Sequence, residues 1–410
     1  MATLHPFRAL RPRPADVARI ASVPYDVVST DEARELATGN PLSFLRVSRA
    51  EIELPPATDP YSPAVYDRAV ANFARLRKDH LELEAEPSVY FYRLRMGDHV
   101  QTGLAACFSI DEYDRDVIKK HERTRRDKED DRTRHMLALH AQTGPVFLTY
   151  KAAAEVDAVA ARTAQTPPLF EFTAPDGVQH TLWRVGGADR DALVAAFTRI
   201  PALYIADGHH RAASAARARA EMRAAGVAGE SLGDGADGTT VLAVAFPHDQ
   251  MQILPYNRIV KDLGGLPPEA FLAAVTEAFE VTAGPASPGR PGEIAMYFQG
   301  GWRTLRPRVA PDRSDPIGSL DVSVLQDRLL APVLQIHDVR TDKRIDFVGG
   351  ARGTGALERA VDEGRAAVAF SMYPVTVDDL IAVSDAGAIM PPKSTWFEPK
   401  LRDGLLIHVI

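Results

Sequence analysis

Residues 203–211 read Leu-Tyr-Ile-Ala-Asp-Gly-His-His-Arg, an apolar run that ends in a carboxylate, a glycine, two imidazoles and a guanidinium. The apolar run has the pattern of a buried strand, and Asp-Gly is a turn pair. His209 to Ala225 has the pattern of a helix, with Gly226 where a helix stops. Asp207, Gly208, His209, His210 and Arg211 therefore fall where a strand hands over to the first turn of a helix. The free N–H groups and positive dipole end of a helix start attract anions, and Arg211 adds a forked, charged donor for phosphate oxygens. The implied chemistry is phosphate binding, most simply of a nucleotide. Asp207 by itself reads as a helix cap. His209 and His210 are adjacent and point about 100° apart on a helix, so they do not form a zinc pair.

A second stretch, 119–134, has eight Lys/Arg, five Asp/Glu and no apolar residue. It contains His121, Glu122, Thr124, Lys128 and Arg132. With no position that faces a core, it reads as a mobile arm or the lining of a cleft. Its His-Glu pair lacks the second histidine of the metalloprotease pattern. Two shorter stretches place polar groups on stiff backbone. One is Pro24-Tyr25-Asp26-Val27; the other is Met390-Pro391-Pro392 followed by Lys393, Ser394 and Thr395.

The elements that must position these groups alternate between strands and helices. Paired strands are expected at 89–94 and 101–110 across Gly97-Asp98, and a capping box at Ser29–Glu32 opens a short helix. Asn40 to Val47 reads as a turn and a strand. Helices at 64–80, 152–164 and 189–198 and strands at 146–150, 169–172, 180–185 and 240–246 surround the central stretch. Residues 226–238 read as a glycine- and aspartate-rich loop. The fold class is α/β with a mixed sheet, and the phosphate candidate sits at the carboxyl end of a strand, where such sheets bind ligands. Residues 1–282 form the nucleotide-binding region, 283–292 a Pro/Gly-rich linker, and 293–410 a C-terminal α/β unit that closes the fold.

The chain of 410 residues has a net charge of −7, from 48 Lys/Arg and 55 Asp/Glu, which argues against a broad nucleic-acid surface. The single cysteine, Cys107, excludes an internal disulfide framework or a cysteine zinc site. No stretch has the pattern of a signal peptide or reaches membrane length, so a cytoplasmic protein is expected, with no membrane partner.

Six strings, in order, resemble one family, the domain of unknown function 1015 (DUF1015) family, of the ParB/sulfiredoxin-like superfamily. They are Pro24-Tyr25-Asp26-Val27, Asn40-Pro41-Leu42-Ser43-Phe44-Leu45, and His121-Glu122-x-Thr124 with Lys128-x-x-Asp131-Arg132. Asp207–Arg211, Asp346-Phe347-Val348-Gly349-Gly350 and Met390–Thr395 complete the set. The resemblance implies a compact core in which Gly208-His209-His210-Arg211, as a Gly-x-x-Arg turn, grips nucleotide phosphates. His209 stands where sulfiredoxin needs a cysteine, and no ParB-type helix-turn-helix is present. The free-serine kinases of the superfamily are the nearest guide. They imply a phosphotransferase using ATP or ADP with Mg2+ on a small hydroxyl metabolite such as serine. Asp207 and Glu122 would then serve as base or Mg2+ ligand. His121, Thr124, Lys128 and Arg132 would close over the site, with Tyr25, Asp26, Lys393, Ser394 and Thr395 toward substrate. The alternatives are a nucleotide or metabolite sensor without turnover and, more remotely, a ParB-like nucleic-acid-binding protein. Ala212, where the family favours an aromatic, and Arg125-Arg126 depart from its usual form.

Overall fold

In the computed structural model, which describes residues 1–226 and 238–410, the chain forms two compact units, Met1–Met251 with Pro399–Ile410, and Gln252–Glu398. The division falls before the Pro/Gly-rich stretch 283–292, and the last residues return to the first unit. That stretch instead leads from the strand Phe279–Ala283 to its neighbours in one sheet. Most of the loop expected at 226–238 lies outside the described residues.

The first unit is built on a mixed sheet. In spatial order its strands are Ile118–Lys119, Leu203–Asp207, Val146–Tyr150, Thr240–Pro247, His99–Ser109, Val89–Met96, Gln179–Val185 and Phe170–Thr173. Leu4–His5 adds to the far end of His99–Ser109. Thr240–Pro247 is buried along its whole length, as its unbroken apolar sequence requires, and runs parallel to Val146–Tyr150. Phe91, Phe108, Leu148, Phe197, Ile205 and Ala212 share its core. Ser29 and Glu32 make the expected capping box, and Pro63 sits in the first turn of the helix Pro63–Asp79.

Two expectations need correction. Asn40–Val47 turns into a helix, Leu45–Ser48, not a strand. The side-chain oxygen of Asn40 accepts from the N–H of Leu42, and Nε of Arg46 donates to the carbonyl of Asn40, so local polar bonds take the backbone away from any ladder. The charged arm is also not without inward-facing positions. It becomes the helix Arg126–Leu139, whose Asp131, Thr133 and His135 are buried. Hydropathy missed Asp131 and His135 because their burial is satisfied by charge and hydrogen bonding.

In the second unit six strands pair antiparallel in the order Phe279–Ala283, Gly301–Pro307, Ile294–Phe298, Val368–Met372, Tyr256–Val260 and Ile345–Gly349. Phe271, Phe279, Phe298 and Phe370 fill its core. The helix Val377–Asp385 opens with a capping box at Thr376 and Asp379. Among the described residues, no helix is long and apolar enough to cross a membrane.

Candidate functional site

Leu203–Asp207 pairs with Val146–Tyr150, and the register shifts between Ile205 and Asp207. Such an irregularity re-aims a side chain at the end of a strand. Gly208 follows with a φ of 93°, a conformation that only glycine adopts without strain. A side-chain carbon at Gly208 would stand 3.1 Å from Cζ and Nε of Arg211, so the missing side chain also lets the guanidinium fold back over the turn.

The helix His209–Ala224 has no side-chain cap, and the first N–H groups of a helix have no intrahelical partner. Asp207 does not fill the capping role. Its Oδ2 accepts from Nζ of Lys400 at 2.9 Å, and its Oδ1 lies 3.7 Å from Nη2 of Arg211. Burial alone would raise its pKa, but the charges of Lys400 and Arg211 outweigh it and hold the carboxyl well below the usual range.

Arg211 is 7% exposed and donates from Nη1 to the carbonyl of Pro145 at 2.5 Å. Its Nη2 lies 3.5 Å from Oδ2 of Asp26. Burial works against its charge, yet Asp26, Asp207 and Asp403 together raise its pKa.

The two histidines hold the arm. The N–H of His121 donates to Nε2 of His209 at 3.4 Å, and the N–H of Arg125 donates to Nε2 of His210 at 3.0 Å. An imidazole accepting at Nε2 carries its proton on Nδ1. That atom of His209 lies 3.8 Å from Oε2 of Glu122. The rings of His121 and His209 meet edge-on with centroids 4.5 Å apart. Burial lowers both pKa values, that of His121 to about 4, so the pair is neutral at pH 7.

Tyr25 joins from the N-terminal segment, with the guanidinium of Arg132 4.1 Å over its ring. Arg132 pairs with Asp131 at 2.8 Å and donates to the carbonyl of Ser48 at 3.2 Å. The hydroxyl of Thr124 donates to Glu129, and Lys128 donates to the hydroxyl of Tyr61 at 2.9 Å. The fold thus brings together Tyr25, Asp26, His121, Glu122, Arg132 and Asp207–Arg211.

Lys393, Ser394 and Thr395 belong to the second unit. There Ser394 donates to the carbonyl of Pro391 at 2.6 Å, and Nη2 of Arg258 donates to the carbonyl of Lys393 at 3.1 Å. Trp396 packs so closely on Gly349 that a side-chain carbon there would lie 2.8 Å from the indole. Packing against Trp396 thereby accounts for Gly349, and Gly350 is hemmed in by Pro255 and Leu254.

Lys400 and Asp403 are the site residues that motif reading passed over. Lys400 is 193 residues from Asp207 in the chain, and no spacing rule connects them. Asp403 lines a cavity of about 40 Å³ with Tyr25, Arg132, His135, Gln142 and Arg211. Among the described residues, no group of three or more His, Cys, Asp or Glu is placed to hold a metal ion.

Fold and site together define an α/β protein whose sheet ends in an open helix start lined by charge. Residues 4–323 match the family described as "Protein of unknown function (DUF1015)", and the chain belongs to that family. None of the curated proteins matches it. Among solved structures, it is similar to a mutant free serine kinase in complex with AMP, at 13% identity and a TM-score of 0.36, covering 72% of this chain and 87% of the kinase. A conserved hypothetical protein from Pyrococcus furiosus is similar at 13% identity and a TM-score of 0.35, covering 74% and 95%. SbnI from Staphylococcus aureus, truncated at its C-terminus, is similar at 12% identity and a TM-score of 0.40, covering 74% and 87%.

Proposed function

We propose that this chain is a nucleotide-dependent phosphotransferase with a ParB/sulfiredoxin-like core, acting on a small hydroxyl metabolite, with free serine as the first acceptor to test. The observation that carries the reading is the uncapped helix start after Gly208, flanked by Arg211 and Lys400. Backbone N–H groups, helix dipole and two cations converge there, which suits the phosphates of ATP or ADP.

In the reaction the acceptor oxygen bonds to the terminal phosphorus while the bridging P–O bond breaks, and the hydroxyl proton passes to a carboxylate. Asp207 is held ionised beside Lys400, so it suits charge neutralisation better than proton transfer. Glu122, with its side chain 49% exposed beside His209, is the better proton acceptor. His121 stays neutral and sets the position of His209. Mg2+ takes one or two carboxylates along with substrate phosphates and waters, and Asp207 fits as one such ligand. The bound ion would neutralise charge on the transferring group.

A thermal-shift titration with ATP and ADP, with and without Mg2+, followed by phosphate transfer to L-serine and other small alcohols, tests the reading. Stabilisation together with transfer supports it. Stabilisation without transfer to any acceptor favours the sensor, and the absence of nucleotide binding overturns both.

A further inference from the structure

Among the described residues three arginines are buried to less than a tenth exposure, Arg211, Arg402 and Arg258. Arg211 faces Asp26 and Asp207, and Arg402 pairs with Asp176. Arg258, on the strand Tyr256–Val260 of the second unit, is 4% exposed and has no carboxylate beside it among the described residues. Its partners are two backbone oxygens. Nη1 donates to the carbonyl of Tyr256, and Nη2 donates to that of Lys393 at 3.1 Å. A guanidinium has five N–H donors, so these two bonds leave three over. Carbonyl oxygens bring only partial charge, and a buried cation stays costly until a full counter-charge meets it. Burial accordingly draws the pKa of Arg258 down to about 10, whereas the acids around Arg211 raise that of Arg211.

A second cation stands at the same corner. Lys393 is exposed, and its ammonium lies 5.6 Å from the ring centroid of Tyr256. The guanidinium of Arg258 lies 5.6 Å from the centroid of Phe347. Tyr256 meets Phe347 and Trp396 edge-on, with centroids 5.9 and 5.1 Å apart. Ring faces attract cations without neutralising them. The acids next to these rings in the chain are engaged elsewhere. Asp346 points to the opposite face of its strand from Phe347 and pairs with Lys261 at 2.9 Å, and Glu398 accepts from Nε1 of Trp396 at 2.9 Å. Lys393 has a φ of 59°, in the left-handed region, and Ser394 closes the turn by donating to the carbonyl of Pro391 at 2.6 Å. Glycine or asparagine suits that conformation better. The chain places a lysine there instead, beside an arginine that already lacks a counter-charge.

We propose that the second unit binds an oxyanion, the phosphate or carboxylate group of a small molecule, on the guanidinium of Arg258 and the ammonium of Lys393, beside the ring of Tyr256. Arg258 supplies a fixed fork of donors and Lys393 a mobile point charge. Two cations match the double charge of phosphate better than the single charge of a carboxylate, so phosphate is the first probe. The proposal is independent of the phosphotransferase reading, which rests on Asp207–Arg211 in the first unit.

Isothermal titration of the full chain with inorganic phosphate, at constant ionic strength, tests this on the unaltered protein and on Lys393→Gln. Phosphate at the helix start after Gly208 binds both proteins alike and cancels in the comparison. Lys393→Gln, a change at an exposed position, should weaken a saturable phosphate site at least fivefold, and Lys393→Arg should restore it to within threefold. Arg258→Gln should abolish that site; where this variant does not fold, the two Lys393 variants decide. Acetate should bind the unaltered protein at least fivefold more weakly than phosphate. Acetate binding more tightly, with the same loss in Lys393→Gln, would keep the site and make carboxylate its group. No saturable binding of either anion would overturn the proposal, and so would binding that Lys393→Gln leaves unchanged. ADP binding and phosphate transfer enter none of these comparisons, so the failure of either reading leaves the other intact.

Discussion

Arg211 and Asp207 flank one turn but answer to different chemistry. Arg211 would bond a phosphate that is present throughout a reaction, so Arg211→Ala should weaken ADP binding by on the order of 1.5–3 kcal/mol, read by calorimetry. Asp207→Asn removes a charge that matters most in the transition state, so turnover should fall much further than nucleotide affinity. Unchanged turnover with a lower melting temperature would leave Asp207 as a partner for Lys400 and nothing more. Asp403 makes a separate prediction about pH. Burial, with help from Asp26, pushes its carboxyl up to about 7. In the unfolded chain it titrates near ~3.9. The native state therefore holds a proton that the unfolded state has lost between these values, and stability drains away as pH rises through about 7. Asp403→Asn is neutral throughout, so its stability relative to the parent should rise by on the order of 2 kcal/mol from pH 5 to pH 8. His121 and His209 titrate in both proteins and cancel in the difference. A flat difference in urea midpoints across that range would show that Asp403 is not held protonated.

At the scale of the element, the charged arm shows how a sequence without apolar residues becomes a packed helix. Asp131 accepts from the hydroxyl of Tyr66 at 3.0 Å and pairs with Arg132, and Arg132 in turn covers Tyr25. Removing one member of a buried pair strands the other, at a cost of about 3–5 kcal/mol. Asp131→Ala should therefore destabilise the protein by that order in urea unfolding. Lys128→Ala should cost under ~1 kcal/mol, since the ammonium of Lys128 meets Tyr61 at a half-buried position. Equal effects from the two substitutions would mean that the arm is held by its backbone bonds to His209 and His210, not by this network.

For the molecule as a whole, the return of Pro399–Ile410 to the first unit has a direct consequence. Leu401, Leu405, Leu406 and Ile407 are buried there, and the N–H of Leu10 donates to the carbonyl of Ile407 at 2.9 Å. Each such side chain contributes about 1.5–3 kcal/mol, and the four together rival the 5–15 kcal/mol that holds an ordinary domain folded. A chain ending at residue 398 should lose cooperative unfolding of the first unit, followed by circular dichroism or limited proteolysis. A sharp, unshifted transition would contradict this. The net charge of −7 also argues that duplex DNA should not bind at physiological salt, and a gel shift that persists there would show that surface misjudged.

What the sequence determined by itself was local. The strand, turn and helix at 203–224, the capping boxes at Ser29 and Thr376, and the paired strands across Gly97-Asp98 all rest on contacts between near neighbours in the chain. Those contacts leave their mark in periodicity and turn residues. The motif strings identified the family in the same way. Tertiary structure decided the rest. It placed Lys400 on Asp207, bound His209 and His210 to the backbone of the arm, and buried Asp131 and His135 in a helix that hydropathy reads as solvated. It also carried the last residues back to the first unit and buried an oxygen of Asp403 against Gly144 with no hydrogen-bond partner among the described residues. For Lys400, His209, His210, Asp131 and His135 a partner lies tens to hundreds of residues away, and the stabilising term is a charge or a hydrogen bond. The returning residues are instead held by apolar burial against equally distant chain. Such pairings have no period, so they exist only once the sheet has set its strand order and brought the ends of the chain to one place.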